Sequence, residues 1–103
     1  MFRVSVIYPY APGKKFDWAY YMDKHMTMVQ KLLQGQGMVK GEVDRGVGTV
    51  QPGAPAPYVA MAHMYFNTME DMQRCMAQGA GMMADVPNFT DIQPQVQISE
   101  IIL

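Results

Sequence analysis

The nine-residue run Tyr58–Phe66, YVAMAHMYF, constrains the fold of this chain more than any other segment. Its aromatic and apolar content, bounded by a proline-rich stretch before it, reads as a strand. Both faces of that strand are apolar: Tyr58, Ala60, Ala62, Met64 and Phe66 on one, Val59, Met61 and Tyr65 on the other. A strand of this kind needs cover on both sides.

The segments around it alternate in type. Phe2–Tyr8 sets Phe2, Val4, Val6 and Tyr8 against Arg3, Ser5 and Ile7, a strand pattern that Pro9, Pro12 and Gly13 break. Phe16–Leu33, FDWAYYMDKHMTMVQKLL, is an amphipathic helix with Asp17 as its cap, stopped by Gly35 and Gly37. Met38–Val47 is a second strand that gives way at Gly46–Gly48, and Pro52–Pro57 reads as a surface loop. After Tyr58–Phe66, Thr68 caps a second helix, with Asp71 placed as in a capping box. That helix carries Met69, Met72, Cys75 and Met76 and is expected to fray near Gly79 and Gly81. A short turn at Met82–Asp85 leads into PNFTD, and Gln95–Leu103 closes the chain as a strand with Val96, Ile98 and Ile102 on one face.

Strand, helix, strand, strand, helix, strand is the order of a ferredoxin-like βαββαβ sandwich, an α+β fold with an antiparallel sheet and both helices on one face. The whole of 1–103 is expected to form this one domain. Two helices cover one side of the sheet only, so the other side of Tyr58–Phe66 would be an exposed apolar patch, which soluble monomers rarely tolerate. A second copy is the simplest cover, which predicts a homodimer whose sheets face each other as a dimeric α+β barrel.

Composition removes several function classes. The formal charge is −1 with 8 Lys and Arg scattered along the chain, which excludes the clustered basic face that nucleic acid requires. No polybasic segment or apolar run of about 20 residues marks a membrane protein. Cys75 is the single cysteine, so no intrachain disulfide forms, and a reducing cytoplasm fits best. Pro9 interrupts the N-terminal segment before a signal-peptide core. The 12 methionines are either filler for irregular core gaps or the wall of a pliable pocket for a greasy ligand.

The helix at Phe16–Leu33 has one ionisable residue on its apolar side. Trp18, Tyr21, Met22, His25, Val29 and Leu32 recur at spacings of three and four. An imidazole on a face meant for burial is either a core residue with both nitrogens satisfied or an acid/base group in a cavity. Asp85, in a loop of its own, either orients His25 as the acid of a hydrolase triad does or serves the turn chemistry common for Asp. Neither Ser nor Cys sits in a nucleophile motif, so acyl-enzyme chemistry is not expected. Tyr8, Trp18, Tyr20, Tyr21, Tyr65 and Phe89 are candidates to line a cavity for a planar ligand, beside the core role common for aromatics. His63 is a further ligand-binding candidate, facing either the cavity or the dimer interface. His25 and His63 lack metal-ligand spacing, so no metal and no cofactor is expected; haem would require His25 as its one axial ligand.

Taken together, YP at Tyr8–Pro9, FD at Phe16–Asp17, YYxxxH at Tyr20–His25 and DVPNFTDIQPxxQISE from Asp85 to Glu100 resemble the EthD family. That group is named for ethyl tert-butyl ether degradation and belongs to the dimeric α+β barrel superfamily. The resemblance spans Phe2 to the C-terminus, and both His25 and Asp85 lie in matching blocks. Thr27 stands where family members often carry proline. The resemblance implies a ferredoxin-like subunit, a two-fold dimer and a small cavity between sheet and helices. The wider superfamily includes polyketide cyclases, muconolactone isomerases, and quinol and haem monooxygenases, so it fixes fold better than reaction.

The combined expectation is a cytoplasmic homodimer that binds a small apolar or aromatic molecule. If it is an enzyme, His25 is the general acid/base of a cofactor-free proton transfer of the cyclase, isomerase or lyase kind, with Asp85 orienting it. The alternative is a non-catalytic carrier or accessory protein of a catabolic pathway. A third reading is a monooxygenase that works without a cofactor.

Overall fold

The computed structural model describes all residues, 1–103. Its elements in chain order are β1 (Phe2–Pro9), α1 (Trp18–Tyr20), a π-helical turn (Tyr21–His25), α2 (Met26–Leu33), β2 (Met38–Arg45), β3 (Tyr58–Phe66), α3 (Met69–Met76), α4 (Gly79–Ala84), a 3₁₀ turn (Val86–Asn88) and β4 (Gln95–Glu100). The four strands form one antiparallel sheet in the order β2-β3-β1-β4. This is the ferredoxin-like α+β architecture that the order of elements predicts. No helix is long and apolar enough to cross a membrane.

The helical stretch 18–33 is one rod with a change of pitch in it. The Asp17 carboxylate accepts from the Tyr20 amide at 3.1 Å and caps the start, as its position implies. Five residues then wind as a π-helix, and the Met26 amide donates to the Tyr21 carbonyl rather than to the carbonyl four residues back. The slower rotation brings Tyr21, His25, Val29 and Leu33, spaced by four, onto the buried face. A uniform α-helix, at 3.6 residues per turn, lets a strict spacing of four drift off that face. The expected apolar face is therefore corrected at two positions. Met22 is exposed, and Leu33 rather than Leu32 closes the buried stripe.

Beyond β3, the Thr68 hydroxyl accepts from the Asp71 amide at 3.1 Å and caps α3. The reciprocal half of a capping box does not form, because the Asp71 carboxylate accepts from Arg74 at 2.8 Å instead. The fraying expected at Gly79 and Gly81 is also corrected: both lie inside α4, which runs directly into Asp85. Strand β4 ends at Glu100, so Ile102 falls outside it.

The core lies between the rod, α3 and the helix-facing side of β1 and β3. There Val4, Leu33, Phe66 and Cys75 are inaccessible to solvent, each large aliphatic or aromatic side chain contributing about 1.5–3 kcal/mol by burial. A second cluster, Tyr8, Tyr21, Ala60, Val86, Phe89 and Ile92, closes the other end. Strand β4 is an edge with no buried residue, so Val96 and Ile98 stay 52% exposed although they share the helix side with Val6 and Val4.

The opposite face of the sheet differs from its expected character. Pairing places Arg3, Ser5 and Ile7 of β1 beside Met61, His63 and Tyr65 of β3, Lys40, Glu42 and Asp44 of β2, and Gln95, Gln97 and Ser99 of β4. Apolar side chains are thus a minority there. The apolar patch inferred from Tyr58–Phe66 alone is absent, because the neighbouring strands present polar residues on that side.

Candidate functional site

His25 ends the π-helical turn and is 5% exposed. Its Nδ1 lies 3.0 Å from Asp85 Oδ2. The other oxygen of that carboxylate, Oδ1, accepts from the Tyr20 hydroxyl at 2.7 Å and the Asn88 amide at 2.8 Å. Burial pushes the Asp85 carboxyl up, but the hydrogen bonds from Asn88, Tyr20 and His25 outweigh it and hold the group below its usual value. Asp85 is therefore an anion that only accepts. Nδ1 thus carries a proton and donates it to Asp85, and in the neutral imidazole the lone pair is then on Nε2. The hydrogen bonds implied by the two alternatives for Asp85, one within its turn to Asn88 and one to His25, coexist.

The imidazole is fixed by packing as well. The Tyr21 ring stacks on it at 5.5 Å with planes 15° apart, and Phe89 lies against it at 4.7 Å. A cavity of about 220 Å³ opens between the sheet and the helices, bordered by His25, Tyr8 and Tyr21, by Val4, Val6, Ala62 and Met64 of the sheet, and by Val96 at the edge. Met26, Met76, Met82 and Met83 complete much of the wall. Methionines thus serve both purposes: Met64 and Met82 border the cavity and also belong to the buried core with Met72. No charged side chain lines the space. Burial raises the pKa of both tyrosines well above that of a free phenol, with Tyr8 raised further by Tyr21. Both stay protonated donors at neutral pH. The Tyr21 hydroxyl is buried with no hydrogen-bond partner.

The residues singled out from sequence separate into two groups. His25, Tyr8 and Tyr21 border the cavity, with Asp85 behind the imidazole. Phe89 is fully buried and supports His25 from the side without bordering the cavity. Tyr65 is corrected as a cavity residue, and of the two placements left open for His63 the cavity is not the one taken: both belong to the opposite sheet face. The Tyr65 hydroxyl donates to Glu42 at 2.7 Å. His63 lies between Ser5 Oγ, 2.8 Å from Nδ1, and Asp44 Oδ2, 3.1 Å from Nε2. This Ser, His and Asp set lacks the oxyanion donors that acyl transfer needs. Ser5 belongs to a strand paired on both sides, and its neighbouring amides serve the sheet. Tyr20, a candidate to line the cavity, instead donates to Asp85 from outside it, and Asn88 is not distinguished by sequence, although its i, i+3 spacing from Asp85 is a signal for it.

At about 220 Å³ the cavity is smaller than the roughly 300–1,000 Å³ that holds drug-sized ligands. A porphyrin does not fit, and no haem chemistry is derived for His25.

Comparison with known proteins agrees with this architecture. The EthD domain matches residues 13–93. An EthD-like protein from Ralstonia eutropha JMP134 is 39% identical, with 99% of this chain and 92% of that one covered and a TM-score of 0.89. An EthD family protein from Bacillus halodurans C-125 is 21% identical over 99% of each chain and has the same fold, with a TM-score of 0.76. An uncharacterized 11.0 kDa protein of Rhodococcus erythropolis is 29% identical over 92 residues, 86% of this chain and 84% of that protein.

Proposed function

The chain belongs to the EthD family, and from that premise we propose that it binds a small, neutral, largely apolar molecule beside His25 and moves a proton on it without a cofactor. The observation that carries this reading is the His25–Asp85 pair at the wall of an otherwise apolar cavity. With Nδ1–H held by the carboxylate, Nε2 is the base. It takes a proton from a carbon or hydroxyl next to a carbonyl, and Asp85 balances the imidazolium that forms. Tyr21, whose hydroxyl lacks an internal partner, supplies a donor for the oxygen on which charge develops. Return of the proton to another atom completes an isomerisation or a cyclisation. The apolar wall excludes water and strengthens each of these interactions.

The direct test is exchange of the acidic C–H of a bound cyclic ketone or lactone for deuterium in D₂O, with and without His25→Ala. Exchange by the wild type that the variant loses supports the proposal. Equal exchange by both removes it. A carrier or accessory role is the second reading, favoured by the scarcity of polar groups around the cavity; it predicts a ligand that is retained and released unchanged. Oxygen consumption with a quinol-like substrate is the mark of the cofactor-free monooxygenase reading.

The same proposal includes a homodimer formed through the polar sheet face, in a cytoplasmic setting that suits the free thiol of Cys75. The support lies in the face itself. Arg3 Nε is buried without a partner, and Ser5 is 8% exposed. An unpaired buried donor is costly, and an acceptor from a second copy would remove that cost.

A further inference from the structure

A second cavity lies on the far side of the helical rod. It also measures about 220 Å³ and is bordered by Met22 and Gln30 of the rod and by Met38, Gly41 and Val43 of β2. It shares three lining residues with the cavity beside His25: Met26, Val29 and Met64. Met26 and Val29 belong to the rod and Met64 to β3, the strand between β2 and β1. The partition between the two spaces is therefore the helix–sheet contact itself.

That partition is uneven in stiffness. Val29 is β-branched and restricted at its first side-chain torsion. Met26 and Met64 are unbranched, with three rotatable bonds each and a polarizable sulfur that tolerates many neighbours. Each cavity alone falls below the roughly 300–1,000 Å³ of a ligand site, whereas the two joined fall within it. Neither space is lined by a charged side chain. A cationic ligand would have no counter-charge in either, and in the second space an anionic one would have none.

We propose that Met26 and Met64 form a gate between the two cavities, and that the ligand is a neutral, elongated molecule. Its oxygen-bearing end lies beside His25 and Tyr21, and an aliphatic tail passes under the rod into the space bordered by Met22 and Met38. Rotation of the two methionine side chains opens the path while Val29 keeps the rod in place. This inference rests on the reading of the His25 cavity as the ligand site, and it adds the shape of the ligand and the residues that select for it.

The test uses the intact protein with ¹³C-labelled methionine methyl groups and a series of unbranched 2-ketones of five to eleven carbons. Met76, Met82 and Met83 border the first cavity only, and Met22 and Met38 the second only, so their methyl resonances report the two spaces separately. Short ketones are expected to move the first set alone and the longest to move both. Affinity should rise by roughly fourfold per methylene across the series, the gain that burial of each CH₂ provides. Met26→Phe should flatten that rise at the longer members, and Met26→Leu should preserve it. Long ketones that bind and leave Met22 and Met38 unmoved overturn the gate, whatever the variants do. If no ketone of any length moves Met76, Met82 or Met83, the ligand-site reading itself fails, and the gate with it.

Discussion

Asp85 Oδ2 accepts from His25 Nδ1 at 3.0 Å across 60 residues of chain. The same carboxylate is held by Tyr20 from the rod and by Asn88 from the 3₁₀ turn. Asp85 thus ties the turn after α4 to the rod and selects one tautomer of the imidazole.

Replacing Asp85 with Asn should leave His25 in place and remove that selection. The Nδ1–H resonance of His25 should be sharp and downfield in the wild type and should broaden or vanish in Asp85→Asn. Proton exchange on a bound ketone should fall by at least tenfold. His25→Ala should lose the roughly 10²–10⁴-fold that a positioned acid/base group supplies. A variant Asp85→Asn with full exchange activity and an unchanged His25 resonance would separate the carboxylate from the chemistry.

The acid limb of stability should carry the signature of Asp85. Its folded value is lowered, so the anion stabilises the fold above the ordinary carboxylate range of about 4. That contribution declines as pH drops and is lost once pH falls through the lowered folded value. Thermal unfolding between pH 6 and pH 2 should therefore show a wider gap between wild type and Asp85→Asn at pH 6 than at pH 2. A gap that stays constant would mean the two states bind the proton equally.

Tyr21→Phe removes a hydroxyl that is buried without a partner. Leaving such a group unsatisfied costs about 1–3 kcal/mol, so the ligand-free variant should be as stable as wild type or more so in urea unfolding. Its affinity for a short 2-ketone should drop several-fold. Loss of stability in the free protein would show that the hydroxyl has an internal role.

Gly37 has φ +108°, and a Cβ there would lie 2.5 Å from Cγ of Asp71. Gly37→Ala should destabilise the fold by more than about 1 kcal/mol, since both backbone and contact oppose it. A smaller change in the urea midpoint would mean that α3 shifts to make room.

Sedimentation equilibrium at micromolar concentration should give twice the 11.6 kDa of one chain. Met61→Glu, on the polar sheet face, should reduce the mass to one chain without altering the far-ultraviolet circular dichroism. A wild-type mass of one chain would remove the dimer from the proposal.

What could be read before the fold was known follows the range of the interactions involved. The caps at Asp17 and Thr68 are local, set by a side chain and an amide three residues on, and they stand in the sequence. So do the strand alternation of β1 and the glycine stop after α2, where Gly35 has φ +77°. The order of six blocks carries the sheet topology, because connection length and antiparallel pairing leave few alternatives.

The site is different in kind. The π-helical turn arises where one extra residue is absorbed to keep Tyr21, His25 and Leu33 on the same buried face, and a periodicity of 3.6 cannot express it. The side of the sheet that His63 and Tyr65 occupy depends on pairing with β1 and β2, whose polar residues turned an expected apolar patch into a hydrogen-bonded face. Residue type, and for His25 its spacing on the apolar helix face, mark the two as capable of acid/base chemistry and leave their contact as one of two alternatives for Asp85. Only the tertiary structure joined them, because a contact between residues 60 apart is decided by how the turn after α4 packs on the rod and by no feature of either segment alone.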